Sequence, residues 1–426
     1  MPRPSKRSKA EHNLKEWIQQ ENCMSDPVVI VSVARTPLGG FQGDLSSVSA
    51  PQLGAIAIKA AVERAGLQPE QVQEVMMGCV LPAGLGQAPA RQAAIGAGLP
   101  LSVACSTVSK VCGSGMKAAM LAHDLILAGS SEVVVAGGME SMSNAPYLLP
   151  KARGGYRLGH GQMMDHMFLD GLEDSYSKES KGRLMGTFAE DCATSFNFTR
   201  EAQDEFAVAS TTRAQAAIKG GDFAWEVVPV TVSGRKGDVV IDHDEQPLKA
   251  QIEKIGSLKP AFKKDGTVTP ANSSSISDGA AALVLMRKST AEKLGLKPLA
   301  TIVGHANHAQ EPALFTTAPV GAMQKVLAKA GWSTDEVDLW EINEAFAVVT
   351  MAAMHEMKLP HDKVNVNGGA CALGHPIGAS GARILVTLIG ALRKRGLKRG
   401  VASLCIGGGE ATAMAIEVEA AVGCGG

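Results

Sequence analysis

An internal repeat constrains the fold of this 426-residue chain more than any other feature of its sequence. Three local patterns occur twice in the same order: a helix that ends in Ala-Gly, a Ser-Gly pair that opens a helix, and a strand that ends in Gly-Gly. The paired glycines are 265, 266 and 270 positions apart, at Gly66 and Gly331, Gly115 and Gly381, and Gly138 and Gly408. This nearly constant offset predicts two similar α/β halves that pack against each other, each with a mostly parallel sheet covered by helices.

The composition indicates a globular protein and argues against several function classes. Hydrophobic residues make up 45% of the chain, charged residues 19%, and the net charge is −1. A nearly neutral chain gives no support for binding to nucleic acid or to an anionic membrane. No apolar run reaches the ~18 residues that a membrane span needs. The eight cysteines show no CxxC pair and no zinc-ligand spacing, which indicates free thiols and a cytoplasmic location.

The chain divides into an extension, two halves and an insertion. Residues 1–23 begin with basic residues, soon turn acidic and lack the apolar core of a secretory signal, so we expect a disordered extension there. Residues 24–144 are expected to form the first half, completed by about 276–297, and residues 298–426 the second half. The repeat does not account for 145–275, which we interpret as an inserted domain that binds substrate.

Local signals place several elements within these units. Apolar residues at helical spacing predict a helix from about Gln52 to Ala65, which Gly66 ends. A second helix is predicted over Arg200–Lys219, with Thr199 as its N-cap. A short β-branched run, Val28–Val33, predicts a buried strand.

Four groups capable of chemistry lie where predicted strands end beside glycine-rich turns. Cys112 precedes a helix start, where the helix dipole and unpaired N–H groups favour a thiolate. His375 lies in the tightly turned stretch NVNGGACALGHPIGASG, which follows a strand-like run ending at Val366. Cys405 ends a strand before three glycines, and Asn343 follows another strand. Each has a structural alternative: a small buried cysteine, a connector with an incidental histidine, or an asparagine that braces a loop. Together they point to acyl transfer through a cysteine.

The same stretches resemble the thiolase family, and most closely its acetyl-CoA acetyltransferase members. The resemblance runs from about Met24 to Ala421, and its most specific signatures read GHPIGASG and CIGGG in this chain. It implies a duplicated α/β fold with a five-layered α-β-α-β-α core. The inserted loop domain is then expected to hold coenzyme A and to contribute to a homotetramer. The matching stretches are Val33–Pro37, Cys112–Gly115, Gly137–Ser143, Asn343–Phe346, Asn365–Gly381 and Cys405–Gly409.

The resemblance also implies a role for each reactive group. Cys112 would attack acetyl-CoA to give an acetyl-enzyme, and His375 would accept the thiol proton. Cys405 would take a C2 proton from the next acetyl-CoA, whose enolate attacks the acetyl group. Asn343 would position a water that forms one oxyanion hole with His375, and the backbone N–H groups of Cys112 and Gly407 would form the other. No metal or organic cofactor is implied, since coenzyme A is the substrate carrier.

The family's coenzyme A contacts can be assigned by the same resemblance. Met185, Phe262 and Ser274 would line the path of the pantetheine arm, and Lys249 or Arg235 would contact the phosphates. Phe315 would form part of the acyl pocket. This chain departs from the family at two places: Leu184 stands where relatives often have His, and Lys249 ends a stretch where they often have Arg.

Three functions remain open at this point. The leading one is condensation of two acetyl-CoA to acetoacetyl-CoA, or its thiolytic reverse, within fatty acid metabolism. A broader 3-ketoacyl-CoA thiolase of β-oxidation or aromatic degradation is the close alternative, since Phe315 either narrows the pocket or suits a branched substrate. The remote alternative is a non-catalytic relative that binds acyl-CoA or lipid. Ketoacyl synthases share the doubled architecture, but the second cysteine, Cys405, argues against them.

Overall fold

The computed structural model describes residues 26–235 and 237–419, and the extension predicted at 1–23 lies outside this range. Nine strands and the two-residue strand Gly39–Gly40 form one continuous mixed sheet. The nine strands are β1 Val28–Arg35, β2 Glu74–Gly78, β3 Ala104–Val108, β4 Val133–Ser141, β5 Ser277–Arg287, β6 Ala300–Ala309, β7 Leu339–Ile342, β8 Arg399–Ile406 and β9 Glu410–Val418.

The strand order confirms the repeat. The sheet runs β7-β8-β9-β6-β1-β5-β4-β2-β3, with β1 and β6 paired at its centre. Outward from this pair, the first half reads β1-β5-β4-β2-β3 and the second half reads β6-β9-β8-β7. An isolated parallel bridge between Trp340 of β7 and Val364 occupies the position of a fifth strand. The strand-like run predicted to end at Val366 is therefore this single bridge rather than a full strand.

The expectation of mostly parallel sheets is wrong, because each half is mixed. The pairs β1–β5 and β5–β4 are antiparallel, as are β6–β9 and β9–β8 in the second half. Only the pairs farther from the centre, β4–β2 with β2–β3 and β8–β7, are parallel. Strands buried on both faces read as continuous apolar runs whichever way they pair, so the sequence does not distinguish the two arrangements.

Helices cover the sheet in layers. In the first half, α1 (Ala50–Ala65) and α2 (Pro89–Gly96) share one apolar core with the outer face of the sheet, and α8 (Ala318–Ala330) covers the outer face of the second half. Between them, α3 (Ser114–Leu127) and α11 (Ser380–Arg395) share a central core with strands of both halves, which completes five layers in the order α-β-α-β-α. The helices are α1 Ala50–Ala65, α2 Pro89–Gly96, α3 Ser114–Leu127, α4 Met185–Phe196, α5 Arg200–Lys219, α6 Glu245–Lys249, α7 Lys288–Lys293, α8 Ala318–Ala330, α9 Ala347–Met357, α10 Ala370–Leu373 and α11 Ser380–Arg395.

The predicted helix boundaries are confirmed where the sequence carries a clear capping signal. Helix α1 ends at Gly66, whose φ of 71° lies in the left-handed region that favours glycine. Helix α5 has the predicted bounds, and the Thr199 hydroxyl accepts a hydrogen bond from the backbone N–H of Ala202 at 3.2 Å.

The two central helices meet at their N-terminal ends. A Cβ atom on Gly115 of α3 would lie 2.8 Å from the backbone nitrogen of Ala382, and one on Gly381 of α11 would meet the backbone nitrogen of Met116. Each helix therefore begins against the main chain of the other, which only glycine permits. This reciprocal contact holds the loops that precede α3 and α11 at a fixed separation.

The chain between β4 and β5 leaves the sheet and contains α4, α5, α6 and two short antiparallel pairs, Tyr147–Leu148 with Met164–Asp165 and Val230–Val232 with Val239–Ile241. A buried ion pair ties this segment to β1, because the Arg35 guanidinium contacts Glu226 at 2.5 Å and Asp244 at 2.7 Å. Within the described range, every helix is too short or too polar to cross a bilayer.

Candidate active site

A cavity of about 320 Å³ lies between the two halves and the inserted segment. Eight of the eleven predicted site residues line it, although they come from distant parts of the chain. This volume is in the range of small-molecule sites in proteins. The eight residues are Cys112, Met185, Phe262, Ser274, Phe315, His375, Cys405 and Gly407.

Cys112 is presented by a tight turn between β3 and α3. Val111, directly before it, has a φ of 44°, which is unusual for a β-branched residue. The Ser114 side chain holds this turn, since its hydroxyl accepts from the Lys110 backbone N–H at 2.8 Å and donates to the Val111 carbonyl at 2.6 Å. The backbone strain and these hydrogen bonds fix the thiol at the cavity wall.

Burial and backbone donors act in opposite directions on the pKa of the Cys112 thiol. Burial raises its pKa to about 11, although the backbone N–H groups of Gly407 and of Cys112 itself point at the sulfur and oppose the rise. The expectation that the helix start favours a thiolate stays a prediction, since these N–H groups lower the pKa while burial raises it. The same two N–H groups are those predicted to stabilise an oxyanion.

Cys405 lies at the end of β8 and is almost fully buried. Burial raises the pKa of this thiol well above its ordinary value, and the nearby sulfur of Cys112 raises it further. The structure thus brings the two sulfurs to one cavity although 293 positions separate them in the chain.

His375 is held in a single orientation by the first residue of α11. Its Nδ1 lies 2.6 Å from the Ser380 hydroxyl, which itself donates to the Pro376 carbonyl at 3.0 Å. Since that hydroxyl proton is directed at the Pro376 carbonyl, we assign the ring proton to Nδ1, which donates it to Ser380. Burial, and then the charge of Arg383, lower the pKa of His375 to about 3, so the ring is neutral. Its Nε2, at the cavity, is buried and has no hydrogen-bond partner among the described residues.

Asn343 follows β7 and is fully buried just outside the cavity lining. Neither its amide oxygen nor its amide nitrogen has a hydrogen-bond partner in the described parts of the chain. Buried amides without partners are rare and commonly contact an ordered water or a ligand. A side chain that holds a water at the active site needs a polar group that other side chains leave unpaired, so the predicted role of Asn343 stays a prediction that this environment suits.

Glu140, at the end of β4, supports the His375 loop and was not singled out from the sequence. Its carboxylate accepts backbone N–H groups from Gly378 at 2.9 Å, Val80 at 2.9 Å and Leu81 at 3.1 Å. Burial raises its pKa to about 7, while these three donors oppose the rise. Glu140 thereby joins the second half's histidine loop to the first half. The only sequence signal was its place after the repeated Gly-Gly pair.

The inserted segment forms the apolar wall of the cavity. Phe168 and Leu172 lie in one turn of π-helix, and Met185 begins α4. Leu184, where relatives often have histidine, also faces this space. The family resemblance pointed to Met185, but the sequence did not indicate the 168–172 turn, because a single turn of π-helix has no regular apolar period.

Lys249 and Arg235 lie outside this cavity. Lys249 lines a second cavity of about 360 Å³, which shares Pro270 and Ser275 with the first. Its ammonium contacts Glu245 at 2.5 Å and Asp44 at 3.5 Å. Arg235 is exposed in the hairpin between Val230–Val232 and Val239–Ile241, and the structure does not bring it to either cavity.

The doubled α/β fold, with one cavity between its halves, defines a class of acyl-transferring enzymes built from two related units. The family model described as "Thiolase, N-terminal domain" matches residues 28–289, and the one described as "Thiolase, C-terminal domain" matches residues 296–418. The chain belongs to the thiolase family.

Named relatives agree with this assignment. The chain is 53% identical over 392 residues to an acetyl-CoA acetyltransferase of Cupriavidus necator, covering 92% of this chain and 99% of that protein. It is 55% identical over 394 residues to acetyl-CoA acetyltransferase 2 of Arabidopsis thaliana, covering 92% and 97%. The solved structure of an acetyl-CoA acetyltransferase from Syntrophomonas wolfei superposes with a TM-score of 0.89 at 42% identity, covering 92% of this chain and all of that one.

Proposed function

We propose that this protein condenses two acetyl-CoA molecules to acetoacetyl-CoA and free coenzyme A, and catalyses the thiolytic reverse, through an acetyl-cysteine intermediate. The observation that carries the proposal is the presence of two thiols and one neutral imidazole on a single cavity. Membership of the thiolase family and the relatives named acetyl-CoA acetyltransferase support it.

In the first step, the sulfur of Cys112 attacks the thioester carbonyl of acetyl-CoA and its proton passes to Nε2 of His375. The backbone N–H groups of Cys112 and Gly407 stabilise the oxyanion that forms. When the carbon–sulfur bond to coenzyme A breaks, Cys405 gives its proton to the departing sulfur. This leaves an acetyl group on Cys112, a thiolate on Cys405 and an imidazolium at His375.

In the second step, the Cys405 thiolate removes a C2 proton from a second acetyl-CoA. The enolate oxygen is stabilised by the His375 imidazolium and by a water held at Asn343, and the enolate carbon attacks the acetyl group. The sulfur of Cys112 leaves and recovers its proton from His375. Atoms and charges then balance, and no metal or organic cofactor enters either step.

The coenzyme is proposed to enter along the inserted segment. Met185, Phe262 and Ser274 contact the pantetheine arm in this proposal, since they line the same cavity as the reactive groups. Lys249 is assigned to the phosphates, because its cavity adjoins the first. We assign no coenzyme contact to Arg235. Replacing Lys249 by Ala is expected to raise KM for acetyl-CoA with little effect on kcat.

Two variants test the assignment of the thiols. Cys112→Ala is expected to bind coenzyme A without gaining an acetyl group when mixed with acetyl-CoA, and mass spectrometry of the intact protein measures this. Cys405→Ala is expected to become acetylated at Cys112 but to form no acetoacetyl-CoA. Cys192→Ala, which removes a buried free cysteine outside the cavity lining, is the control and should behave as wild type. Acetylation at another cysteine, or condensation by Cys405→Ala, would contradict the mechanism.

Assembly and location complete the proposal. We propose a homotetramer, supported by exposed apolar side chains concentrated in the inserted segment, at Tyr147, Leu149, Leu158, Met163 and Tyr176. Light scattering of the purified protein measures the mass directly.

A cytoplasmic location and a role in fatty acid metabolism are proposed as well, and the six free cysteines of the described range support a reducing compartment. A series of 3-ketoacyl-CoA substrates of increasing length tests the substrate, since a preference for long chains would contradict acetoacetyl-CoA.

A further inference from the structure

Two imidazoles and one carboxylate form a cluster outside both cavities, across the boundary between the two halves. His123 and Asp124 are near the C-terminal end of α3 in the first half, and His305 lies in the middle of β6 in the second. The nitrogen and oxygen atoms that they present to one another all lie within 4.8 Å. The proposed condensation uses none of the three.

The three atoms form a nearly equilateral triangle. Nε2 of His305 lies 3.2 Å from Nδ1 of His123 and 2.9 Å from Oδ1 of Asp124, and the His123 nitrogen lies 3.0 Å from the same oxygen. Ligand atoms bound ~2.0–2.1 Å from an ion are about 3.3 Å apart in a tetrahedron and about 2.9 Å apart in an octahedron. The triangle therefore has the size of one face of a metal coordination polyhedron.

Ring protons alone do not make all three contacts favourable. Each of the two facing nitrogens can carry at most one proton. If both nitrogens donate to Asp124, two donors face each other across the contact between the rings. If one nitrogen donates to the other ring, the second nitrogen turns a lone pair towards the carboxylate oxygen. If a cation lies at the centre, all three atoms direct a lone pair at the same positive charge. Each of the three interactions with the cation is then favourable.

The surroundings prepare the groups for a cation. The side chains of His123 and His305 are 12% and 14% exposed and their rings are nearly perpendicular, whereas the Asp124 side chain is 54% exposed and leaves a path from solvent. The Lys329 ammonium donates to the His305 carbonyl at 2.8 Å and is thus held at the backbone of β6.

We propose that His123, Asp124 and His305 bind a divalent transition-metal ion, with water completing its coordination. Two imidazole nitrogens and one carboxylate oxygen suit zinc and its neighbours, whereas magnesium and calcium prefer oxygen ligands alone. The ion would join the C-terminal end of α3 to β6. Its effect is structural, because it stabilises one half against the other without touching substrate.

Zinc chloride binding to the full-length protein tests the site. The thiols of the proposed active site also attract zinc, so they are first alkylated with iodoacetamide. Wild type is expected to bind one ion per chain at the cluster. His305→Gln should bind it more weakly by at least the roughly 10–100-fold that loss of an outer partner of a metal ligand causes. His308→Gln is the matched control: it alters another histidine of the same strand, which contacts Gln310 instead of the cluster.

Two further readouts separate the site from general effects on folding. Zinc should raise the unfolding temperature of wild type and His308→Gln but not that of His305→Gln or Asp124→Asn. Cobalt(II) bound by the alkylated wild type should show d–d absorption that is lost in alkylated His305→Gln. Absence of cluster binding in wild type, or equal binding by His305→Gln and wild type, would overturn the proposal. If His305→Gln fails to fold, Asp124→Asn decides by the same criteria.

Discussion

Replacing Ser380 by Ala should slow acetylation of Cys112 without displacing the cavity. The Ser380 hydroxyl is the hydrogen-bond acceptor for Nδ1–H of His375 at 2.6 Å, and both groups are buried. In the Ala variant the ring must either leave this donor unpaired or move its proton to Nε2. The second outcome removes the lone pair that receives the Cys112 proton.

The size of the effect follows from the cost of one buried unpaired donor, about 1–3 kcal/mol. If the whole of this free energy is added to the activation barrier for acetylation, because the ring loses its orientation, the rate falls by roughly 5- to 150-fold, at 1.4 kcal/mol for each factor of ten. KM for acetyl-CoA should change little, because Ser380 does not line the cavity. A single-turnover measurement of acetyl-enzyme formation by quenched mass spectrometry gives the rate directly.

Ser277→Ala is the matched control. Ser277 is an equally buried serine whose hydroxyl accepts a hydrogen bond from the backbone N–H of His375 at 3.2 Å. When this hydroxyl is removed, the same N–H still donates to the Ser275 carbonyl, which lies at 3.1 Å. This control removes a contact with the same histidine but leaves its ring unaffected. If Ser380→Ala acetylates as fast as Ser277→Ala, the assignment of the ring proton to Nδ1 is wrong.

Three further predictions concern other parts of the fold. Because Glu140 has its pKa raised to about 7 from 4.5, its stabilising effect is complete below about pH 4.5 and is lost as pH rises through 7. The urea unfolding free energy of wild type should therefore fall by about 3 kcal/mol relative to Glu140→Gln across that window; a flat difference would contradict this. Arg35→Ala removes the cation that contacts both Glu226 and Asp244 in the buried ion pair and should lower stability by about 3–5 kcal/mol, whereas an unchanged urea midpoint would refute it. Phe315→Leu should raise kcat/KM roughly tenfold for a longer 3-ketoacyl-CoA relative to acetoacetyl-CoA, and an unchanged ratio would exclude Phe315 as the residue that limits chain length.

The sequence was most informative where one residue type has one structural use. Gly66 ended α1 and Thr199 capped α5 as predicted, because a left-handed backbone and an orphan N–H each favour few residues. The presence of two similar halves followed from the repeated glycine turns. The glycine-rich turns also identified Cys112 and His375, which the structure brings to one cavity.

What the sequence could not predict depends on contacts between distant segments. Antiparallel pairing of β5 and β9 was missed because a strand buried on both faces has no alternation to read. Glu140 gave no signal of its own, since its role comes from backbone donors about 60 and 238 positions away. The raised pKa of Cys112 is also a property of the folded surroundings, because burial of the sulfur exists only once the halves meet.

The contact of Gly115 with the start of α11 fixes the separation of the loops that carry Cys112 and His375 through main-chain atoms alone. No change of rotamer adjusts such a spacing, and no substitution on the protein surface reaches it. Phe315 and the inserted segment, by contrast, face the cavity with side chains that can be exchanged one at a time. Substitutions in the cavity wall can therefore change which acyl chains are accepted, while the distance over which a proton moves from Cys112 to His375 stays the same.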